Sequence, residues 1–266
     1  MQCQANLTKI EVNGNNAYLF DPVGGPMSAA DLMAAAQRLS AALAPLHFRA
    51  PVTHVYNPLD YAGLTYGQYL QRWGDGRRRV LFLGMNPGPF GMVQTGVPFG
   101  EIHAVRDWLG IDAPIGRPAV EHPKRPVEGW ACRRSEVSGR RLWGLFAGRF
   151  GTPQAFFAGH FVLNWCPLAF LADGRNLTPD RLPSDEFAPL AAACDRHLRE
   201  ACAALEPEWL IGVGRFARLR AQQALTGPAA PRIGEILHPS PASPAANRGW
   251  AAAASAQLQE LGVWGA

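Results

Sequence analysis

Four short apolar runs stand out along the chain, each bounded by polar or turn-forming residues. Continuous apolar runs of this length are typical of strands that are buried on both faces of a parallel sheet. The runs are Arg79–Gly84, His160–Asn164, Glu208–Val213 and Arg232–Leu237. Helical periodicity is found in Tyr66–Trp73, Ser138–Phe150, Asp185–Leu205, Arg215–Leu225 and Asn247–Leu261. Strands that alternate with helices predict a parallel sheet covered by helices on both faces.

The first fifty residues carry a different pattern. Their beginning is weakly patterned, apart from a short strand predicted at Ala17–Phe20. Ser28 is suited to cap the N-terminus of an alanine- and leucine-rich helix at Ala29–Leu43. Pro45–Gly63 is predicted to be an irregular connection. We therefore expect residues 1–50 to form an N-terminal extension that is helical and packed on the core.

Composition narrows the class of protein. Hydrophobic residues make up 48% and charged residues 17% of the 266 residues, as in a globular chain. The net charge of +4 suits an anionic partner such as nucleic acid without requiring one. None of the five cysteines forms a C-x-x-C pair, so zinc-deaminase and iron–sulfur motifs are absent. Free thiols and the lack of a long apolar run predict a cytoplasmic protein that does not span membranes, nucleoid-associated in a bacterium.

The loop after the first predicted strand, Gly84–Gly100, contains five glycines and three prolines in seventeen residues. Such a segment cannot continue a helix or strand, and it forms a stiff loop whose backbone can approach a ligand closely. Asn86 lies just past the strand end, where its amide could orient a water. Phe99, between a proline and a glycine, could offer a flat face. The alternative is a surface loop that tucks Phe90 and Phe99 into the core.

Two further loops follow predicted strands. His238–Trp250 is rich in proline and serine, so its hydroxyl and N–H groups could hold phosphates and its stiffness would suit a wedge in a base stack. Asn164 carries a donor and an acceptor that match uracil O4 and N3–H. A proline-rich connector and a turn-capping asparagine remain the alternatives. Because ligands bind outside the carboxyl ends of parallel strands, we expect His238, Asn164 and Asn86 to share one rim.

Two other patterns leave alternatives open. Arginines cluster before the sheet and around a helix start, where they could contact DNA or form a solvated face; they are Arg77, Arg78, Arg79, Arg133, Arg134, Arg140 and Arg141. Gly212–Ala217 fits the dinucleotide signature G-x-G-x-x-A, with Glu235 downstream. This signature opens the third strand, with too few residues after it for a dinucleotide domain, so a tight strand-to-helix turn is favoured.

At these residues the chain resembles the single-strand-selective monofunctional uracil-DNA glycosylases. The likeness is carried by GMNPGPFGM-x-QTGVPFGE and HPSP-x-x-P-x-AN-x-GW, and it covers about Tyr56 to Gly262 in order. Shorter matches are VRDWLGI (Val105–Ile111), EHPKRPV (Glu121–Val127), SEVSG (Ser135–Gly139), NLTP (Asn176–Pro179) and GVGR (Gly212–Arg215). Arg133 and Arg134 depart from the family, because relatives are less basic before SEVSG. That departure would alter DNA binding rather than the reaction that is catalysed.

The resemblance implies a three-layer α/β/α sandwich with a central, mainly parallel four-stranded sheet, and a uracil-DNA glycosylase domain at residues 51–266. It implies hydrolysis of the N-glycosidic bond of uracil and 5-substituted uracils such as 5-hydroxymethyluracil. The enzyme would act on single- and double-stranded DNA containing oxidised or deaminated bases, as a monomer without metal or cofactor, and would leave an abasic site in base excision repair.

The resemblance also assigns roles to residues. Asn86 would position the hydrolytic water and His238, whether neutral or charged, would stabilise the charge that grows on uracil O2. Asn164 would read the base edge and Phe99 would stack on it. The other assigned residues are Met85 and Gly88 near the ring's 5-position, and Ser135, Ser138, Ser240, Pro241, Ser243, Asn247 and Arg248 against DNA.

Two alternatives of different class remain at this point. The basic runs and aromatic residues would suffice for a non-catalytic protein that binds single-stranded nucleic acid. Such a protein would leave the paired rim loops of Asn86 and His238 without a purpose, and it would release no base. A nucleotide-dependent oxidoreductase built on Gly212–Ala217 would bind a dinucleotide, which we do not expect.

Overall fold

The computed structural model describes residues 7–12, 15–20 and 28–265. The strands are β1 Leu7–Val12, β2 Asn15–Phe20, β3 His54–Tyr56, β4 Val80–Gly84, β5 His160–Asn164, β6 Ala169–Ala172, β7 Arg175–Leu177, β8 Trp209–Val213 and β9 Arg232–Ile236. The α-helices are α1 Ala29–Leu43, α2 Pro58–Tyr61, α3 Gly63–Trp73, α4 Met92–Thr95, α5 Val137–Phe150, α6 Pro153–Phe157, α7 Ser184–Leu205, α8 Arg215–Ala224, α9 Pro244–Asn247 and α10 Trp250–Glu260. Short turns of other helix types lie at Ala104–Trp108, Gly129–Ala131 and Pro179–Arg181.

The central sheet has four parallel strands in the order β5-β4-β8-β9. These are the four apolar runs of the sequence, so the predicted strands and their parallel pairing are confirmed. Every residue of β4 and β5 is buried, because each strand has neighbours on both faces. The register pairs Gly84 with Asn164 at the carboxyl ends of the two strands. These ends therefore stand side by side, which places their loops together.

The order of the strands puts helices on both faces of the sheet. From β4 the chain steps to the edge strand β5, and then it reverses to β8 and β9. Right-handed crossovers place α5 and α6 on one face, and the reversal places α7 and α8 on the other. The helix contacts agree, since α5 packs with α6 and α10, while α7 packs with α1 and α8. The predicted three-layer α/β/α sandwich is confirmed.

A second, antiparallel sheet was not predicted from the sequence. Strands β3, β6 and β7 pair in the order β3-β6-β7. The segment Pro45–Gly63, predicted to be irregular, contains β3 and the short helix α2. Two of the three strands have only three residues, too few to show an alternating pattern. The predicted strand at Ala17–Phe20 lies within β2, which pairs with β1 in a hairpin that was not predicted.

Helix α1 has the bounds that its capping residues predict. The Asp31 carboxylate accepts a hydrogen bond from the N–H of Ser28 at 2.8 Å, which caps the first turn. Leu32, Leu39 and Leu43 are buried in the main hydrophobic core, where α1 packs on α3 and α7. None of the helices in the described part of the chain combines the length and apolarity that crossing a bilayer requires. A domain boundary at residue 50 remains our proposal for the chain's organisation.

Three histidines with lowered pKa values predict how stability depends on pH. Burial lowers the pKa of His160, His197 and His238 to about 4, against an ordinary value of 6.5. Between these values the unfolded chain binds protons that the folded chain does not. The stability that depends on these rings being neutral is therefore fully present above pH 6.5. It is lost as the pH falls towards 4. Each group contributes roughly 1.4 kcal/mol per pH unit in that window.

Urea unfolding at pH 7 and at pH 5.5 measures this effect, and we expect the unfolding free energy to be lower at the acidic pH. His160 is the matched test position, because its ring accepts from Trp264 Nε1 at 3.3 Å and contacts Phe156 O at 3.1 Å. His160→Gln removes one titrating group and should flatten the dependence. An unfolding free energy that is equal at both pH values would contradict the neutral state of these rings.

Candidate active site

A cavity of about 380 Å³ opens at the carboxyl ends of the central strands. The loops that follow β4 and β9 line it, as the sequence predicted from the Pro/Gly-rich segments, whereas β5 contributes its last residue, Asn164, and not the loop after it. Backbone hydrogen bonds join the loop after β5 to the end of β4 and the loop that follows it. They run from Trp165 N to Gly84 O and from Cys166 N to Met85 O, both at 2.9 Å. Of the predicted site residues, the cavity is lined by Met85, Asn86, Gly88, Phe99, Ser138, Asn164, His238, Ser240 and Pro241.

Asn164 lines this cavity and is only 8% exposed. Its Nδ2 contacts Met92 Sδ at 3.3 Å, while its Oδ1 is buried without a hydrogen-bond partner among the described residues. A buried polar atom without a partner costs about 1–3 kcal/mol, so proteins rarely keep one without a purpose. Because Asn164 also lines the cavity, its Oδ1 is available to accept a hydrogen bond from a ligand there.

Gly84 makes room for this arrangement. A Cβ at Gly84 would lie 2.3 Å from Asn164 Oδ1 and 2.5 Å from Phe99 Cε2. Both distances are far below van der Waals contact, so only glycine allows the two side chains to approach the strand end. The glycine that ends β4 thus determines where the amide and the aromatic ring stand. Phe99 packs against the main core, as the alternative expected, but its half-buried ring also lines the cavity.

The backbone of Phe99 supports the same conclusion. Its φ of +53° places it in the left-handed region, which is unfavourable for a bulky side chain. Such strain of roughly 1–3 kcal/mol persists only where the surroundings impose it, and it clusters at functional sites. The ring centroid of Phe99 lies 6.4 Å from that of His238. A flat ligand that enters the cavity would meet the ring, the Asn164 amide and the imidazole together.

His238 is a neutral hydrogen-bond donor. Burial lowers the pKa of His238 to about 4, so the ring is uncharged at neutral pH. The N–H of Ser240 donates to Nδ1 at 3.1 Å, so Nδ1 is an acceptor and the ring proton lies on Nε2. The sequence left the charge of His238 open, and the structure shows how the Ser240 N–H selects the tautomer. Nε2–H is left to donate to a ligand.

Asn86 faces the same cavity from the β4 loop. Its Nδ2 donates to Leu168 O at 3.2 Å, which fixes the amide and leaves Oδ1 as an acceptor. An amide is neither acid nor base at neutral pH, so Asn86 can orient a water but cannot take its proton. The cavity therefore combines an acceptor amide, a neutral imidazole donor, a flat ring and a second amide. This set suits recognition and release of a heterocyclic base.

Comparisons with known proteins agree with this geometry. Residues 72–260 match the family model of the uracil DNA glycosylase superfamily. The chain is 52% identical over 228 residues to the single-strand selective monofunctional uracil DNA glycosylase of Mus musculus, covering 85% of this chain and 82% of that protein. It is 47% identical over 249 residues to the protein of that name from Bos taurus, covering 92% and 91%.

The chain belongs to the single-strand-selective monofunctional uracil-DNA glycosylase family. The fold agrees with this membership. The crystal structure of wild-type Pedobacter heparinus SMUG2 superposes with a TM-score of 0.58, covering 86% of this chain and 97% of that one. Its sequence identity is only 16%, so this likeness concerns the fold alone.

This member of the glycosylase family also has pocket residues that the sequence motifs did not single out. Glu136, the N-cap of α5, lines the cavity, as do Asn176 and Thr178 at the end of β7. Glu136 Oε2 accepts from Phe90 N at 3.2 Å, and burial raises the pKa of its carboxyl. A Cβ at Gly88 would lie 2.5 Å from that oxygen, so this glycine admits the carboxylate. The motifs SEVSG and NLTP were the available signals.

Four predicted DNA-contacting residues lie outside the cavity. Ser243 caps α9, since its hydroxyl oxygen accepts from Ala246 N at 3.4 Å. Asn247 donates to Pro241 O and accepts from Arg141, both at 2.9 Å. These two side chains have structural partners, whereas Ser135 and Arg248 are exposed. The structure does not bring these four residues into the pocket with the others.

The dinucleotide signature has a structural role in this glycosylase. Helix α8 begins at Arg215, directly after β8, so Gly212–Ala217 is a tight strand-to-helix turn, as favoured from the sequence. Glu235, which would bind a ribose in a dinucleotide site, instead pairs with Arg218 at 2.7 Å. The acidic residue that the oxidoreductase alternative needs is therefore engaged by the fold itself.

Proposed function

We propose that this chain hydrolyses the N-glycosidic bond of uracil in DNA, leaves an abasic site and so initiates base excision repair. The observation that carries the proposal is the buried Asn164 Oδ1, which has no partner among the described residues yet faces a cavity with a neutral histidine donor. The names of its relatives, which describe monofunctional uracil-DNA glycosylases, support the same reaction. The roles of the individual residues are part of the same proposal.

Asn164 and Phe99 recognise the base. One amide offers an acceptor and donors side by side, which match uracil N3–H and O4. Cytosine presents a donor and an acceptor in the reverse order, so a fixed amide would leave buried groups unpaired against it. The ring of Phe99, held by its strained backbone, stacks on the base face. The base must first leave the DNA duplex, which costs roughly a few kcal/mol. This cost is least for single-stranded or mispaired uracil.

His238 stabilises the leaving group. As the glycosidic bond breaks, the electron pair moves onto the base and negative charge grows on O2. The Nε2–H of His238 donates to this oxygen without a prior change of protonation, because Nδ1 is already paired with Ser240 N–H. A fixed donor in a desolvated site is worth more than one in water, and such groups are usually the largest catalytic term.

Asn86 orients the water that attacks the electron-poor sugar. Its Oδ1 accepts a hydrogen bond from the water while Nδ2 stays anchored on Leu168 O. An amide cannot remove a proton, so water attacks a sugar that already has much positive charge, and its proton passes to solvent. The reaction of this site accordingly depends on departure of the base more than on activation of water.

The proposal extends to 5-substituted uracils such as 5-hydroxymethyluracil and to other oxidised or deaminated bases, removed by a monomer from single- and double-stranded DNA. Met85 and Gly88 line the cavity, and in this proposal they lie near the ring's 5-position. The cavity of about 380 Å³ is also larger than a pyrimidine ring requires.

An oligonucleotide panel tests the function directly. Single- and double-stranded oligonucleotides that carry one uracil, one 5-hydroxymethyluracil or only normal bases are incubated with the protein and then treated with hot alkali. We expect scission at the modified base alone, and Asn86→Ala should lose cleavage more than DNA binding. No abasic product from any substrate would refute the proposal and favour a non-catalytic binder of single strands.

Arg141 should matter more for duplex than for single-stranded substrates. It reaches from α5 to the loop after β9, where Nη1 donates to Pro239 O at 3.0 Å and Nη2 to Asn247 Oδ1 at 2.9 Å. Without these bonds the loop loses the stiffness that a wedge in a base stack needs. Losing hydrogen bonds to a charged group costs about 1.5–3 kcal/mol, so Arg141→Ala should slow excision from duplexes at least roughly tenfold.

Single-turnover rates on matched single- and double-stranded uracil substrates measure this difference between the two substrates. Excision from single strands should change only a few-fold, because no base pair has to be opened. Arg140→Ala is the control, since Arg140 is the exposed neighbour on the same helix. Equal losses on both substrates would show that Arg141 supports the fold generally rather than the wedge.

A further inference from the structure

Two guanidinium groups converge on the ring of Phe90. The Arg134 guanidinium carbon lies 3.9 Å from the ring centroid, and that of Arg125 lies 5.4 Å from it. The ring is half-buried and its backbone N–H donates to Glu136, so the platform itself is held in place. Stacking on an aromatic face orders a guanidinium while its N–H groups remain free to donate at the ring's edge.

Neither arginine has an acidic partner within the described part of the chain. Arg125 donates Nη1 to Lys124 O at 3.2 Å, and its buried Nε has no hydrogen-bond acceptor there. Arg134 forms no side-chain ion pair with the described acids. The nearby Glu136 carboxylate is engaged by the Phe90 N–H. Two ordered like charges on one ring repel each other, and an anion bound near them would offset this repulsion.

The Arg125–Phe90–Arg134 cluster lies beside the mouth of the pocket. Phe90 is flanked in the chain by Pro89 and Gly91, which line the cavity. Arg134 lies two residues before Glu136, which lines it too. Ser240 and Pro241 reach the same cavity from a different loop, the one after β9. A strand that delivers one nucleotide into the cavity has a phosphate on each side of that nucleotide, and the two loops offer separate places for them.

We propose that Arg125 and Arg134, ordered on Phe90, bind a backbone phosphate of the substrate strand next to the extruded nucleotide. The proposal rests on the glycosylase function, and it adds a phosphate site on the β4 side of the pocket. Guanidinium groups pair with phosphate oxygens in bidentate geometry, which suits arginines that are ordered on an aromatic ring without an acidic partner. The site fixes the strand but does not touch the reacting bond.

The test is the salt dependence of binding to a short, undamaged, fluorescent single-stranded DNA. Each phosphate contact on a single strand contributes about 0.7 to the slope of log K against log salt. Arg134→Gln should lower the slope by about that amount. Arg133→Gln removes the same charge from the adjacent exposed position, which does not stack on Phe90, and it should leave the slope unchanged. On uracil substrates, Arg134→Gln should raise KM while kcat stays within twofold.

Arg125→Gln provides a second variant, with circular dichroism as a check of its fold, because Arg125 is half-buried. An unchanged slope for Arg134→Gln would overturn the proposal. Equal changes in the Arg133 and Arg134 variants would overturn it as well, because they would show a diffuse basic surface instead of a site. The slopes are measured without catalysis. A wild-type protein that releases no uracil would therefore refute the glycosylase function and leave the phosphate site to be judged by its own data.

Discussion

His238→Leu is expected to lower the single-turnover rate of uracil release by roughly 10²–10³, the typical effect of removing one donor from a developing oxyanion. In the proposed mechanism the neutral Nε2–H of His238 meets the charge on the base, and leucine fills a similar volume without this donor. Affinity for undamaged DNA should change only a few-fold. Alkali cleavage of a uracil oligonucleotide under excess enzyme gives the rate, and fluorescence anisotropy gives the affinity.

The pH profile of the same reaction tests the charge of the ring. Because burial lowers the pKa of His238 to about 4, the wild-type single-turnover rate should be level between pH 6 and pH 9. An inflection near the ordinary histidine pKa of 6.5 would contradict a neutral donor. His103→Leu serves as the control, since His103 lies exposed beside Asp107 and should leave both the rate and its pH profile unchanged.

Gly84→Ala is expected to abolish most of the activity from a position that touches no substrate. The added Cβ would lie 2.3 Å from Asn164 Oδ1 and 2.5 Å from Phe99 Cε2, so the amide and the ring must both move. A displacement of about 1 Å in an active site can cost 10²-fold in rate, and here both proposed recognition groups shift together. Overpacking should also destabilise the fold by roughly 1–3 kcal/mol.

Single-turnover excision and urea unfolding separate these two effects. Gly159→Ala is a matched control, because Gly159 directly precedes β5, at the end remote from Asn164, and a Cβ there meets nothing within 4 Å. This control should retain both activity and stability. If Gly84→Ala kept full activity while folded, the positions of Asn164 and Phe99 would not be important for recognition, and their assignment would be wrong.

The central sheet could be predicted because its strands are buried on both faces. Such strands appear in the sequence as unbroken apolar runs, and the structure places all four within two residues of the predicted bounds. Helix α1 could be predicted to the residue because Ser28 and Asp31 mark its start. The β3-β6-β7 sheet could not, since its strands are held by pairing between distant segments. The three exposed or partly exposed residues of β7 carry no periodic signal.

The rim of the pocket could be predicted from topology, because carboxyl ends of parallel strands converge. Asn86, Asn164 and His238 meet there for that reason. Glu136 could not be found in this way, because its place in the pocket depends on the space left by Gly88, nearly fifty positions earlier in the chain. The charge of His238 was equally hidden. Its neutral state results from burial and its tautomer from one backbone N–H, and neither is visible in the sequence.

The neutral state of His238 has a consequence for the release of products. A charged imidazolium would hold the expelled anion tightly and slow its escape. A neutral N–H gives the base only one modest hydrogen bond, which water can replace. Once the base takes a proton from solvent, the proposed stacking on Phe99 and hydrogen bonds to the Asn164 amide are the contacts that still retain it. Free uracil should therefore be a weak product inhibitor, and the abasic strand, held through its phosphates, should govern turnover.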